Sequence, residues 1–296
     1  MMPSRYSVLP RSFMYIPGDK PELFPKAAAG TADALILDLE DAVPHARKAE
    51  ARSRVRRWLT TRAPVLSPEG ASGQQWWVRI SAASIAADLD AVLTPALAGI
   101  FLAKSTVASL AETAECLSRL EGGNTTARQS VGVIGLVESA AALLELEAMA
   151  VSERLLTFAI GEVDLMADLR MTRGPHSEAA LDSIRARFVI ACAATGLMPP
   201  VAPTSTAIRD LAAFEQSSRK MLELGFRSRT AVHPSQIATI HDVFTPGADE
   251  VASARDIIAR FRQSQGGVAV DSTGRMIDAA VIRSAEETLR RSTDHR

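Results

Sequence analysis

The sequence is poor in the features that usually mark an unusual environment. It has two cysteines, Cys116 and Cys192, far apart and without CxxC spacing. That argues against a zinc site or a disulfide framework and for small buried residues in a reducing compartment. Neither sign of charge prevails: 33 basic residues face 34 acidic ones, for a formal charge of −1. Such a chain carries no global field for nucleic acid or an anionic membrane, so an anionic ligand must be met by a local cluster. No apolar run approaches the ~18 residues of a membrane span, and Arg5 and Arg11 precede no apolar core of a signal peptide. The expectation is a cytoplasmic protein. There is no GxSxG elbow, so Thr204-Ser205-Thr206 has no partner that would make a nucleophile.

What is present suits a soluble enzyme-sized fold. The 296 residues, 47% hydrophobic and 5% aromatic, can bury one large core or two modest ones without staples. Short apolar runs alternate with amphipathic stretches, the pattern of a parallel α/β protein. Eight such runs are expected as strands: Ser12–Ile16, Ala34–Leu37, Trp76–Ile80, Gly99–Ala103, Gly132–Val137, Leu155–Ile160, a proline-rich seventh near Met198–Ala202, and Thr230–Val232. Helices are expected over Pro21–Gly30, Ser84–Ala98, Ala140–Ala150 and Leu181–Gly196, with polar loops at Pro64–Gln75 and Glu121–Ser130. Eight strand–helix units predict a (β/α)8 TIM barrel over residues 1–244, with a doubly wound sheet as the structural alternative. Residues 245–296, which include a helix over Asp249–Gln265 and the link Gly266-Gly267-Val268, are read as a helical lid or an arm serving a neighbouring subunit.

In a barrel the residues just past each strand converge on one pocket. The second strand ends in Asp38-Leu39-Glu40-Asp41, the third carries Arg79, and the fourth ends at Lys104. Glu138 closes the fifth, and Gly161-Glu162-Val163-Asp164 follows the sixth. Carboxylates crowded at a buried strand end need a cation, an arginine or backbone N–H groups. Glu138 and Asp164, with water and a substrate oxygen, are a typical way to hold Mg²⁺, and no histidine or cysteine stands beside them to favour zinc. Arg79 suits a substrate carboxylate or a developing enolate oxygen. The plainer alternative is an ion pair from Arg79 to Asp38 or Asp41, with Asp38 or Asp41 capping the next helix. Lys104, Gly161 and Glu162 are candidate substrate contacts. His233, before Pro234, reads more readily as a structural hydrogen-bonder than as a proton donor.

Together these residues resemble the citrate lyase beta-subunit-like proteins, which include malyl-CoA, citramalyl-CoA and citryl-CoA lyases. The resemblance spans nearly the whole chain. It rests on Arg11-Ser12 with Pro17-Gly18, Leu37-Asp38-Leu39-Glu40-Asp41-Ala42-Val43, Val78-Arg79, Glu138, Gly161 to Asp164, Val232-His233-Pro234-Ser235-Gln236-Ile237 and Met276-Ile277-Asp278. It implies a TIM barrel that forms trimers or hexamers, with Mg²⁺ on Glu138 and Asp164 and with Glu40 and Asp41 gripping metal-bound water. Arg79 would face thioester or carboxylate oxygens, and Asp278 would arrive from a neighbouring subunit as the acid/base. Coenzyme A would lie along the mouth near Arg11, Lys20 or Lys26. The implied chemistry joins or splits a 2-oxo acid (glyoxylate, pyruvate or oxaloacetate) and an acyl-CoA.

The chain departs from the family pattern in places. Ala202 stands where an aspartate is expected, Ser228-Arg229 replaces a Gly-Lys pair, and Leu169-Arg170 stands where Leu-Gly is frequent. These changes leave the metal residues intact and bear on the substrate. A thioesterase on the same scaffold, a metal aldolase without coenzyme A and a non-catalytic acyl-CoA-binding subunit remain as alternatives.

Overall fold

The computed structural model describes residues 8–65, 73–122, 131–264, 269–271 and 274–293. The expected loops Pro64–Gln75 and Glu121–Ser130 lie largely outside the described residues, and the Gly266-Gly267-Val268 link lies wholly outside them. The chain divides into two compact units, Met1–His241 and Asp242–Arg296.

The first unit is a closed barrel of eight parallel strands in sequence order. They are β1 Ser12–Pro17, β2 Ala34–Asp38, β3 Gln75–Ser81, β4 Leu97–Ala103, β5 Gly132–Val137, β6 Leu155–Ile160, β7 Val201–Ala202 and β8 Ser228–Ala231. β8 closes the ring by pairing Ser12 with Arg229 and Met14 with Ala231. The helices between them are α1 Leu23–Ala28, α2 Lys48–Leu59, α3 Ile85–Val92, α4 Val107–Leu120, α5 Ala140–Leu144, α6 Leu146–Met149, α7 Glu162–Asp168, α8 Glu178–Thr195, α9 Leu211–Leu224 and α10 Gln236–Phe244. The TIM barrel expected from the alternation is therefore the observed fold.

Strand boundaries differ from expectation where the backbone has other duties. Pro199, Pro200 and Pro203 cannot donate to a ladder, so β7 keeps only Val201 and Ala202. β8 stops at Ala231 because the next two amides turn to a side chain: Val232 N and His233 N donate to Gln236 Oε1 at 3.0 and 3.3 Å. The helix expected over Ser84–Ala98 ends at Val92, where Leu93 becomes extended ahead of Thr94-Pro95.

Side chains of alternate strand positions fill the barrel. Phe13, Ile36, Trp77, Phe101, Ile134 and Val201 belong to one buried cluster. Phe13, Trp77 and Phe101 meet edge to face, with centroids 5.2–5.7 Å apart. Gly99 makes this possible, since a Cβ there would lie 2.1 Å from Trp77 Cζ3. The aromatic plug forms a floor. Two residues further along β1, β2 and β3 the positions become Tyr15, Asp38 and Arg79, and Glu138 stands two beyond Leu136 at the end of β5, so the period of two carries the interior from apolar to charged at the C-terminal mouth.

The second unit holds α11 Ala248–Gln263, the antiparallel pair β9 Ala269–Val270 and β10 Met276–Ile277, and α12 Ala279–Thr293. Ala254 and Ala285 are buried within it. Among the described residues no helix is long and apolar enough to cross a membrane.

Gly99→Ala should push the fully buried Trp77 ring out of place and cost about 1–3 kcal/mol, the usual range for overpacking. Urea unfolding followed by far-ultraviolet circular dichroism checks this; an unchanged midpoint would mean that the floor tolerates the methyl.

Candidate active site at the mouth of the barrel

Asp38, the last residue of β2, organises the site. Its two oxygens accept a bidentate pair from Arg79 on β3, Nε to Oδ1 at 2.7 Å and Nη2 to Oδ2 at 2.6 Å. They also accept the amides of Glu40 at 2.9 Å and Ala42 at 3.1 Å. The loop after β2 is thereby folded back on its own strand. Lys48, at the start of α2, reinforces it by donating from Nζ to the Leu39 and Glu40 carbonyls at 2.7 and 2.9 Å. This bidentate pair is the ion pair that the sequence left open for Arg79. It uses only one edge of the guanidinium: Nη1 stands 3.5 Å from Glu40 and 4.0 Å from Asp41. The guanidinium also lies over the Tyr15 ring, 4.9 Å from its centroid.

The shaped loop presents Asp41 towards two further carboxylates. Asp41, Glu138 and Asp164 each offer an oxygen, and these atoms all lie within 4.8 Å of one another. Asp41 thus stands close enough to be a ligand itself rather than only a holder of water. Asp164 is carried by the first turn of α7. Glu138 is fixed by the Lys104 amide, which donates to Oε2 at 2.6 Å. Lys104 adopts a left-handed φ of 52° at that point, an unusual conformation for a residue with a side chain. Gly161 leaves the space that Glu138 fills, because a Cβ there would fall 2.3 Å from Glu138 Cγ.

Electrostatics follow from burial. Burial pushes the Glu138 carboxyl up to about 7, against the Lys104 amide and Arg79 and with the help of Glu40 and Asp164. Burial, with neighbouring Asp41, also raises Glu40, which Lys104 and Arg79 oppose. Asp41 is lowered: burial acts to raise it, but hydrogen bonding to Glu40 and the charges of Lys104 and Arg79 outweigh that effect. Tyr15 is held above its ordinary value by burial, so its hydroxyl is neutral. A buried carboxyl with too little positive charge nearby is what a divalent cation would relieve. The oxygen-only donor set fits a hard ion such as Mg²⁺.

Several sequence candidates have other partners. Lys104 Nζ lies 2.6 Å from Glu40 Oε1 and 3.5 Å from Asp41 Oδ1, so its charge is committed to the carboxylate loop. Glu162 is buried under Arg185, which donates at 2.8 and 2.9 Å, and is also paired with Arg173. It fastens α7 to α8 although it lines the same cavity. Arg11 precedes β1, at the other end of the barrel from the mouth, and grips Asp33 through Nε and Nη2 at 2.8 Å. That geometry removes it from the mouth, where a coenzyme A phosphate would lie. Lys20 is exposed in the turn after β1, and Lys26 lines a cavity of about 440 Å³ with Tyr15, Leu23, Val232, His233 and Ile237. His233 Nδ1 is 2.7 Å from Ser235 Oγ, a turn contact. Asp278 lies in the second unit, is exposed, and caps α12 by accepting the Ala280 and Val281 amides at 2.9 Å. Those bonds hold its carboxyl below the ordinary value. Tyr15 was not singled out from sequence; its signal was the alternation with Phe13 on β1.

Comparison with known proteins agrees with this architecture. The model of the HpcH/HpaI aldolase/citrate lyase family matches residues 11–234. A citrate lyase subunit beta-like protein of Mycobacterium tuberculosis is 31% identical over 288 residues, 95% of this chain and 94% of that protein. An L-malyl-CoA/beta-methylmalyl-CoA lyase of Cereibacter sphaeroides is 29% identical, covering 95% of this chain and 94% of that protein. The solved structure of CitE from Mycobacterium tuberculosis in complex with magnesium, acetoacetate and coenzyme A superposes with a TM-score of 0.74 at 29% identity, covering 97% of this chain and 98% of that one.

The Glu138 carboxyl fixes a pH dependence. Its folded-state value of about 7 lies above its ordinary 4.5, so its contribution favours the folded state below the lower value and is lost as pH rises through the higher one. Metal-free protein should lose on the order of 1–3 kcal/mol between pH 5 and 8 that the Glu138→Gln variant does not lose. Mg²⁺ affinity should rise over the same interval, since binding requires loss of the proton. Thermal unfolding in chelator at the two pH values, for both proteins, reads the difference; equal losses in the two would remove Glu138 as its source.

Proposed function

The chain belongs to the HpcH/HpaI aldolase/citrate lyase family, and from that membership we propose a Mg²⁺-dependent carbon–carbon lyase acting on a coenzyme A thioester. The reaction makes or breaks the bond between the keto carbon of a 2-oxo acid and the α-carbon of acetyl-CoA or a related acyl-CoA. The observation that carries this reading is the convergence of Asp41, Glu138 and Asp164 beside the Nη1 edge of Arg79, which the Asp38 pair does not use. These three carboxylates would hold the metal, which when bound would supply Lewis-acid polarisation of the keto group.

The protein's own groups account for the remaining steps. Arg79, locked by Asp38, keeps Nη1 turned towards the carboxylate loop and stabilises the negative charge that develops on the thioester oxygen. Its position needs no reorganisation during reaction. For condensation, a base removes a proton from the α-carbon, the new carbon–carbon bond forms at the keto carbon, and the keto oxygen takes up a proton to become a hydroxyl. Cleavage reverses each of these transfers. We assign the α-carbon proton to Asp278 of a neighbouring subunit in a homotrimer or hexamer, since its anchored carboxylate is ionised and exposed at neutral pH. The 440 Å³ cavity shares Tyr15 and Val232 with the metal cavity, and its apolar walls and Lys26 suit the pantetheine arm and a phosphate of coenzyme A, with Lys20 beside it. Two buried free cysteines accord with a reducing, cytoplasmic setting.

Purified protein with Mg²⁺ should release a 2-oxo acid and an acyl-CoA, without free thiol, from one of malyl-CoA, citramalyl-CoA or citryl-CoA, and chelator should stop it. Asp278→Asn should lower kcat by about 10²–10⁴ while 2-oxo acid binding is retained. Thiol without 2-oxo acid would instead identify a thioesterase. Neither product, with metal and coenzyme A still bound, would assign the chain a partner-dependent role.

A further inference from the structure

Within the lyase reading, on which it rests, the acyl-CoA has to reach from one cavity into another, and a single polar side chain stands at the crossing. We propose that the Tyr15 hydroxyl donates a hydrogen bond to the thioester carbonyl oxygen and, with Arg79, completes a two-donor oxyanion hole for the enolate.

The first ground is position. The metal cavity of about 200 Å³ and the neighbouring cavity of about 440 Å³ have two lining residues in common, Tyr15 and Val232. With the pantetheine arm in the larger cavity and the reacting keto carbon in the smaller one, the thioester that joins them lies between these two side chains. Val232 has no polar group to offer there: its side chain is apolar and its amide already donates to Gln236 Oε1 at 3.0 Å. The phenol of Tyr15 is the donor that both cavities share.

The second ground is that this donor is unspent. Among the described residues nothing hydrogen-bonds to the Tyr15 hydroxyl, although the other polar side chains around it are committed: Asp38 to Arg79, Glu138 to the Lys104 amide, and Thr230 to the Ala202 carbonyl at 3.2 Å. Phenylalanine would fill the same place on the floor without carrying an unmade bond. Burial above all, opposed by Arg79 and aided by Asp38, Glu138 and Glu40, keeps the proton on the hydroxyl, so it is always a donor.

The third ground is rigidity. Tyr15 belongs to β1 and is held in register opposite Ile36 of β2. Its ring meets Phe101 edge to face, with centroids 6.4 Å apart, and supports the Arg79 guanidinium 4.9 Å from its centroid. Arg79 is itself fixed by Asp38, so the two donors are placed side by side before any ligand arrives. When the base takes the α-proton, the electron pair of that bond moves through the carbonyl carbon onto oxygen. The phenol keeps its own proton and meets the new charge with a shorter, stronger hydrogen bond.

Tyr15→Phe keeps the ring, its contact with Phe101 and the stack beneath Arg79, and removes only the donor. Infrared spectroscopy of the Mg²⁺-loaded protein with acetyl-CoA labelled with ¹³C at the thioester carbon reads the contact without turnover. The expected result is a bound carbonyl band at lower frequency in the wild-type protein than in the variant, with Mg²⁺ affinity unchanged. In turnover of the lyase substrate, kcat should fall about 10²-fold in the variant, equally for cleavage and condensation, because both pass through one enolate. The same band in both proteins would overturn the inference and leave the lyase reading to its own turnover test. A shifted band with an unchanged kcat would also overturn it, since the hydroxyl would touch the thioester without stabilising the enolate. A shifted band in a protein that turns over none of the three thioesters would uphold the contact and count against the lyase reading. Failure of acetyl-CoA to bind would overturn the inference together with the placement of coenzyme A in the larger cavity.

Discussion

The mouth of this barrel depends on one carboxylate that never needs to touch a ligand. Asp38 receives two hydrogen bonds from Arg79 and two from the loop that follows it. Those four bonds decide both where the guanidinium points and where Glu40 and Asp41 stand. A carboxylate with 1% exposure is costly to bury unless its lone pairs are filled, and here they are. The satisfied pair then works as a rigid base for the less satisfied groups around it. Replacing Asp38 by a neutral residue would release Arg79 into the carboxylate cluster and cancel the unpaired negative charge that suits the site to a metal.

Asp38 and Glu138 are similarly buried but differently partnered. Asp38 faces a guanidinium in full contact. Glu138 receives one amide hydrogen bond and lies among other carboxylates, so burial prevails and its proton is held near neutrality. The space for it exists only because position 161 carries no side chain. Local packing, charge and prospective metal affinity are set there by the same few atoms.

Much of this was legible from the chain. Fully buried parallel strands read as continuous apolar runs, and the residue after each run sits at the mouth, which is why Asp38, Arg79, Lys104, Glu138 and Asp164 could be grouped before any coordinates. The sequence could not show which partner each would choose. Arg79 had Asp38 or Asp41 available, and register settled it, because Asp38 pairs with Arg79 across β2 and β3. Glu162 looked like a site residue by position, yet Arg185, a full helix away, takes it. Arg11 looked like a phosphate contact by its charge, but it precedes the strand and so stands at the wrong end. β7 was expected to be longer; its prolines remove the amides that a ladder needs. The helix expected over Ala140–Ala150 is broken at Glu145, whose φ of −96° and ψ of 10° interrupt the spiral between α5 and α6.

Position 104 serves two masters. Its backbone, at a φ of 52°, is shaped as glycine or asparagine would prefer, and that shape is what turns the amide to Glu138. Its side chain must nevertheless be long and cationic to reach Glu40. No residue type is at ease with both demands. Glycine or asparagine would relax the main chain and leave the loop carboxylate without its cation, whereas any other compact residue would keep the strain and lose the reach. Lysine there is a standing compromise in which comfort of the chain is surrendered to hold two carboxylates, from two different strands, in fixed relation to each other.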